Sequence, residues 1–199
     1  MAVGVLLKQK IQMETKRIMF LDIDGVLNCD LFYQGKQFAD TIRQAKTKLK
    51  KAVKSKEITS DEYYDHQICR ERIRMLNEIC STLDIKVVVS SSWRLGRSFE
   101  TLQNIFTSMG ATFEIIGVTP FFRGIERGAE ISKWLNDNIK LETYGVHSYD
   151  FYDYVILDDD NDMLLTQAPH FFHIDKYNGL TPTVVNNVRI FFTKKQFDF

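Results

Sequence analysis

The chain has 199 residues, which is long enough for one domain with a substantial core. Its composition, 44% hydrophobic and 26% charged, is typical of a soluble globular protein and argues against a disordered chain. The 26 basic and 26 acidic side chains give a formal net charge of zero, so the chain lacks the basic excess typical of proteins that wrap nucleic acid.

The cysteines and the amino terminus bear on the cellular compartment. Cys29, Cys69 and Cys80 have no C-x-x-C spacing, which argues against a zinc site or a disulfide framework and favours a reducing compartment. The apolar run at residues 3–7 is too short to span a membrane, and no basic region precedes it. We therefore expect a cytoplasmic protein with no signal peptide and no membrane partner.

Five short apolar runs have the length and composition of buried parallel strands. They cover residues 17–21, 85–89, 113–116, 154–157 and 171–174. The first, fourth and fifth runs lead into the carboxylates Asp22, Asp158 and Asp175. The second leads into Ser90 and the third into Gly117. Polar side chains are therefore expected where several strands end.

Between these runs, apolar residues recur at spacings of three and four, which is typical of one face of a helix. Thr59 and Glu62 form the capping-box signature of a helix start. The apolar face that follows consists of Cys69, Ile73, Leu76, Cys80 and Leu83. Ser98 and Gly110 predict the two ends of the next helix. Two further helices are predicted around residues 131–139 and after Pro182.

The alternation of strands and helices predicts the architecture. It favours a three-layer α/β/α fold of the Rossmann-like type, built on a parallel sheet. In such sheets, ligands bind beyond the carboxyl ends of the strands. The aspartates and serines that follow the predicted strands are therefore candidate functional residues.

One segment differs from the rest of the chain in its charge. Between residues 36 and 56 there are eight basic residues and a single acid, Asp40. Four apolar residues of this segment fall on one helical face: Ile42, Ala45, Leu49 and Ala52. The pattern predicts a small, basic helical insertion after the first strand, at about residues 30–58.

The most informative motif is the run Asp-Ile-Asp-Gly-Val-Leu-Asn at residues 22–28, directly after the first strand. Two carboxylates two residues apart flank a turn that Gly25 permits. A calcium loop would carry further oxygen ligands at close spacing, but Val26 and Leu27 occupy those places. An apolar strand that leads directly into these acids also argues against ordinary surface acids.

A second acidic cluster, Asp-Asp-Asp-Asn-Asp at residues 158–162, follows the fourth strand. An EF-hand loop starting at Asp158 would need glycine and glutamate where Met163 and Pro169 stand. Such closely spaced carboxylates repel one another unless they share a cation. A solvated acidic turn is the alternative for this cluster alone, but the two clusters together favour a cation site.

The motif at residues 22–28, the strand ending at Ser90 and the strand ending at Asp158 and Asp159 resemble motifs I, II and IV of the haloacid dehalogenase (HAD) superfamily. The runs at residues 91–94, 127–135, 157–160 and 178–181 further resemble the HAD domain of Swiss-army-knife RNA repair proteins. The resemblance implies a single HAD-like domain over residues 1–199, in which the basic segment is a small cap-like insertion.

The resemblance also implies a magnesium-dependent phosphatase. Asp22 would be the nucleophile that forms an aspartyl-phosphate, and Asp24 would be the general acid and base. The implied ligands of Mg²⁺ are Asp22, the backbone carbonyl of Asp24, and Asp158, with Asp159 as direct or water-mediated support. Asp162 is a further, lower-ranked candidate for the same shell.

Several residues are candidates for binding the substrate phosphate. Ser90 would donate to a phosphate oxygen, with Ser91 as the alternative in the serine run. The superfamily's third motif is usually a lysine, but Arg127 stands in that place and Lys133 follows one to two turns later, so both remain open. For Arg94, contact with a phosphate and a surface salt bridge are equally open.

The short insertion implies an open cleft, so we expect a macromolecular phosphate as substrate. This would be a phosphoprotein, through phosphotyrosine or phosphoserine, or a nucleic-acid end, above all a 3′-phosphate; the basic segment would attract either. Two alternatives to the enzyme remain. The missing consensus lysine suggests a non-catalytic phosphate-binding module, and the acidic clusters allow a calcium-binding structural module.

Overall fold

A computed structural model describes residues 17–35, 67–138 and 153–194. The strands in these ranges are β1 (Arg17–Leu21), β2 (Ile85–Val89), β3 (Ile115–Val118), β4 (Asp153–Asp158) and β5 (Phe171–His173). The α-helices are α1 (Asp30–Gln34), α2 (Arg70–Leu83), α3 (Phe99–Ser108), α4 (Arg127–Asn138) and α5 (Pro182–Lys194). Two 3₁₀ turns cover Ser92–Arg94 and Leu165–His170.

The five strands form one parallel sheet in the order β3-β2-β1-β4-β5, with β1 at its centre. Leu21, the last residue of β1, pairs with Val89 of β2 and with Leu157 of β4. The residues that follow, Asp22, Ser90 and Asp158, therefore lie side by side at the carboxyl edge of the sheet. This register brings together three residues that are far apart in sequence.

The core has two parts, one on each face of the sheet. Met19 and Leu21 of β1 pack with buried side chains of α2, α3 and α5. Ile18 and Phe20 pack on the opposite face with Trp134 and other buried residues of α4. Alternate residues of a strand point to opposite faces, so a strand covered on both sides has a continuous apolar sequence. The predicted three-layer α/β/α fold is confirmed.

The structure corrects the predicted limits of β3. Phe113 lies outside the strand, although it is buried and its ring packs against Phe106 of α3 at a centroid distance of 5.7 Å. An apolar run does not distinguish a strand from a core residue that precedes it. Gly117 lies inside β3, where it pairs with Val88. The indole nitrogen of Trp134 is 3.0 Å from the point where a Cβ would stand, so a larger residue would be crowded there.

The predicted helices are present where the structure describes the chain, with one correction. Helix α2 begins at Arg70, and Cys69, which the sequence places on its apolar face, is an N-cap in an extended conformation. Ser98 caps α3 by accepting a hydrogen bond from the backbone N–H of Thr101 at 3.2 Å, as the sequence predicts. The helix start at Thr59 and Glu62 and the basic segment at residues 36–56 lie outside the described residues. Helix α1 covers only the first residues of the predicted insertion.

Two observations concern the expected compartment. Cys29, Cys69 and Cys80 are free thiols. Within the described ranges, no helix combines the length and the apolar character needed to cross a bilayer.

Candidate active site

The motif I turn places Asp22 at the end of the central strand. Its backbone N–H donates to Leu157 O of β4 at 2.9 Å, and its side chain is buried. Gly25 has a φ of +75°, a conformation that glycine adopts easily. A Cβ on Gly25 would also overlap the carboxylate of Asp159, so the glycine lets the two acidic motifs approach each other.

Three carboxylates from the two acidic motifs meet at this edge. Oxygen atoms of Asp22, Asp158 and Asp159 all lie within 4.8 Å of one another. One oxygen of Asp158, Oδ1, accepts a hydrogen bond from the backbone of Asp160 at 3.0 Å, whereas the buried Oδ2 has no hydrogen-bond partner. A buried carboxylate oxygen that accepts no hydrogen bond is costly, so the cluster is compatible with a bound cation.

A guanidinium neutralises part of this charge. Nη1 of Arg127, at the start of α4, lies 3.1 Å from Asp22 Oδ1 and 3.5 Å from Asp158 Oδ2. Burial would lower the pKa of Arg127, but Asp158 and Asp22 raise it above its ordinary value. One guanidinium facing three carboxylates leaves an excess of negative charge at the cluster.

Burial and the neighbouring charges raise the pKa values of the carboxylates. Burial and the charge of Asp158 raise the pKa of Asp22 to about 8, against the opposing effect of Arg127. Burial likewise raises the pKa of Asp158 to about 7, and burial with the charge of Asp160 raises the pKa of Asp159. The ionised cluster therefore needs further positive charge.

The donor set fits magnesium. Mg²⁺ prefers hard oxygen ligands and is usually bound through one or two carboxylates together with substrate phosphate. Asp22, Asp158 and Asp159 supply such oxygens. Oδ2 of Asp158 accepts no hydrogen bond from the described residues and faces Arg127 at 3.5 Å, so it is a suitable ligand atom.

The carboxylate of Asp24 lies beside the cluster and is held from several sides. Nδ2 of Asn28 donates to its Oδ1 at 2.7 Å, and the indole N–H of Trp93 lies 3.2 and 3.1 Å from its two oxygens. The hydroxyl of Ser92 approaches Oδ2 at 3.5 Å. Asp24 is otherwise exposed, so its carboxylate is both oriented and accessible, as an acid–base group must be.

Residues 18–185 match the family described as the HAD domain in Swiss Army Knife RNA repair proteins. The chain belongs to this family. The match confirms the resemblance noted in the sequence and assigns the domain to a superfamily of phosphoester hydrolases. No curated protein and no solved structure matches the chain significantly.

Two residues of the serine run in this HAD domain, Ser90 and Ser91, make different contacts. Ser90 and Ser91 are both buried, and Ser91 hydrogen-bonds the side chain of Asp22. Ser91 also caps the 3₁₀ turn that presents Trp93. The hydroxyl of Ser90 accepts from Thr119 at 3.4 Å. Ser90 stays the predicted phosphate ligand, while Ser91 contacts the predicted nucleophile Asp22.

The two basic candidates for motif III lie in different surroundings. Arg127 contacts Asp22, whereas Lys133 is half exposed on α4 and pairs with Asp137 one turn later. Only Arg127 of these two therefore contacts the carboxylate cluster. Asp162 does not belong to the close group of Asp22, Asp158 and Asp159, and one of its carboxylate oxygens accepts from the backbone N–H of Arg127 at the start of α4 at 3.0 Å.

The structure corrects one of the two expectations for Arg94. It is buried, and it forms an ion pair with the buried Glu130 rather than a surface salt bridge. Other N–H groups of Arg94 donate to the carbonyl oxygens of Thr119, Ser91 and Pro120 at 2.7 to 3.3 Å. These contacts fix the chain after β3, and phosphate binding by Arg94 stays a prediction that they do not favour.

Sequence reasoning missed two structural roles near the site. Trp93 and Asn28 belong to motifs that the sequence singled out, but their contacts with Asp24 depend on the fold. The buried Arg72 of α2 joins two loops, since it donates to Leu27 O at 3.4 Å and to Asn178 O at 2.6 Å. A buried arginine in an amphipathic helix gives no signal of its own in one sequence.

Proposed function

We propose that this HAD domain is a magnesium-dependent phosphomonoester hydrolase that forms an aspartyl-phosphate on Asp22 and acts on a phosphorylated nucleic-acid end. The observation that carries the proposal is the cluster of the buried Asp22 and Asp158 with the half-buried Asp159, in which Asp158 Oδ2 accepts no hydrogen bond from the described residues. A nucleophile, a cation site and an oriented acid therefore share one edge of the sheet.

The chemistry assigned to the residues balances in two steps. An oxygen of Asp22 attacks phosphorus, the bond to the leaving oxygen breaks, and Asp24 gives that oxygen a proton. A water molecule then gives a proton to Asp24 and attacks phosphorus, which releases inorganic phosphate and restores Asp22. Asp24 suits both steps because Asn28 and Trp93 orient its carboxylate.

The other residues stabilise charge. Arg127 and the hydroxyl of Ser90 would bind oxygens of the transferring phosphoryl group. Magnesium, held by Asp22, Asp158 and the backbone carbonyl of Asp24, with Asp159 directly or through water, would supply neutralisation of the phosphate charge.

The substrate assignment rests on the family. The match to a domain of RNA repair proteins favours a nucleic-acid end, with a 3′-phosphate as the first choice, over a phosphoprotein. The three free thiols support a reducing, cytoplasmic location.

A substrate screen tests the proposal. p-Nitrophenyl phosphate, 3′- and 5′-phosphorylated oligonucleotides, and phosphotyrosine and phosphoserine peptides are each assayed with and without Mg²⁺. We expect turnover that needs Mg²⁺ and is lost in Asp22→Asn but kept in Asp137→Asn, a matched change in an exposed ion pair. If the wild-type protein with Mg²⁺ binds phosphate but hydrolyses none of these compounds, it is a phosphate-binding module instead.

A further inference from the structure

The loop between β3 and α4, residues 119–126, exposes an unusual set of side chains. Phe121, Phe122 and Ile125 are 56%, 40% and 54% exposed, and the exposed Arg123 lies among them. Three large apolar side chains within five residues form the kind of surface patch that marks a binding site. We propose that this loop binds the unpaired nucleotides next to the phosphorylated end, an inference that rests on the proposed function.

The loop borders the candidate active site at both of its ends. At its start, the hydroxyl of Thr119 donates to Ser90. Directly after its end, Arg127 contacts Asp22. A chain whose terminal phosphate lies at Asp22 therefore has the exposed loop residues beside its path out of the site.

A buried ion pair holds the loop in place. Arg94 donates to the carbonyl oxygens of Thr119 and Pro120, and its partner Glu130 accepts from the backbone N–H of Phe122 at 2.7 Å. The guanidinium carbon of Arg94 also lies 5.9 Å from the ring centre of Phe121. The aromatic rings are therefore presented on an anchored backbone, which lowers the entropic cost of binding.

The chemistry of the loop fits single-stranded nucleic acid. Bases of any sequence stack on exposed aromatic faces, and unpaired bases offer such faces freely. Arg123 forms no ion pair with any other residue in the described ranges, so its guanidinium is available to a backbone phosphate. Alternating aromatic and cationic groups match alternating bases and phosphates.

The test compares substrates that carry a nucleic-acid strand with p-nitrophenyl phosphate, which carries none. Phe121→Ala/Phe122→Ala and, separately, Arg123→Gln are assayed on 3′- and 5′-phosphorylated single-stranded RNA and DNA oligonucleotides and on p-nitrophenyl phosphate. We expect the ratio of kcat/KM for the oligonucleotide to that for p-nitrophenyl phosphate to fall about tenfold or more in the double variant. Ile190→Ala, a change of an exposed apolar residue on α5 across the sheet, should leave the ratio unchanged.

Binding is measured in parallel by fluorescence anisotropy of labelled oligonucleotides, which does not depend on turnover. The double variant should bind about tenfold or more weakly than the wild type. Equal ratios and equal affinities in the wild type and the double variant would overturn the inference and leave the proposed phosphatase intact. Strand binding that depends on the two phenylalanines, without any turnover, would support the inference while the proposed function fails.

Discussion

Asp24 shows how the side-chain environment fits a residue for acid–base chemistry. Its carboxylate is reached by the amide of Asn28 and by the indole N–H of Trp93 and is exposed on its remaining side. Two donors directed at one carboxylate restrict its rotation, so a proton can be delivered to a defined place. We therefore propose that the indole N–H positions the carboxylate of Asp24, the proposed general acid.

Trp93→Phe tests this role, because it removes the N–H and keeps an aromatic ring. Alkyl phosphates and nucleic-acid ends need a proton on the leaving oxygen, whereas p-nitrophenolate leaves without one. We expect kcat to fall by about tenfold or more for an oligonucleotide phosphate and much less for p-nitrophenyl phosphate. An equal fall in kcat on both substrates would indicate a purely structural role for Trp93. A fall in melting temperature that accompanies the loss of kcat would indicate the same.

Substitutions also test which of the two motif III candidates, Arg127 or Lys133, acts on the phosphate. Arg127→Ala should lower kcat/KM by about 100-fold or more, because it removes the cation that contacts Asp22. Arg127→Lys should recover part of the loss, since lysine keeps the charge but not the geometry. Lys133→Ala, which breaks only an exposed pair with Asp137, should stay within about twofold. A large loss in Lys133→Ala would contradict the assignment.

The crowded carboxylates also predict a stability effect without metal. The pKa of Asp22 is about 8 in the folded protein against 3.8 for an ordinary aspartate, so the folded state binds this proton more tightly. Stability therefore decreases as the pH rises from about 4 to 8. Asp22→Asn removes the repulsion and should raise the free energy of unfolding by about 1–2 kcal/mol at pH 8, with little change at pH 4.

Denaturant unfolding in EDTA at both pH values measures this effect. Asp137→Asn, a change of an exposed acid, is the control. Lower stability of Asp22→Asn than of the wild type at pH 8 would contradict the predicted strain.

At the scale of elements, the sequence predicts what local patterns encode. The runs before Asp22, Ser90 and Asp158 identify β1, β2 and β4, and parallel pairing brings their ends together. Contacts between distant polar residues cannot be read in this way. Arg94 and Glu130 are 36 positions apart, and their pairing depends on how the loop after β3 returns to α4. The same holds for Trp93 and Asp24, 69 positions apart.

Two acids of helix α4, Glu130 and Asp137, are expected to contribute very differently to the free energy of unfolding, because only Glu130 belongs to a buried ion pair. Glu130→Ala leaves a buried guanidinium without its counter-ion and should lower the free energy of unfolding by about 3 kcal/mol or more. Asp137→Ala removes the exposed partner of Lys133 and should cost about 0.5 kcal/mol or less. Chemical denaturation of both variants gives the comparison. Similar values for the two would contradict the anchoring role of the buried pair.

At the scale of the whole molecule, the three layers position the site by topology. Strand β1 lies at the centre of the sheet, and the chain extends from it in both directions, so the acidic motifs after β1 and β4 become neighbours. Helix α4 packs on the face of the sheet opposite to α2, α3 and α5. Arg127, at its start, contacts Asp22 of the first acidic motif and Asp158 of the second. The fold class was predictable because it follows from alternating apolar runs.

The proposed phosphatase chemistry at Asp22 requires the two acidic motifs to bind a divalent cation together. A Mg²⁺ titration of the hydrolysis of a 3′-phosphorylated RNA oligonucleotide by the wild type, Asp158→Asn and Asp137→Asn measures this requirement. We expect saturable dependence on Mg²⁺ in the wild type and in Asp137→Asn, and loss of turnover in Asp158→Asn. Hydrolysis that persists in EDTA, or that is the same in Asp158→Asn as in the wild type, would show that no such cation takes part.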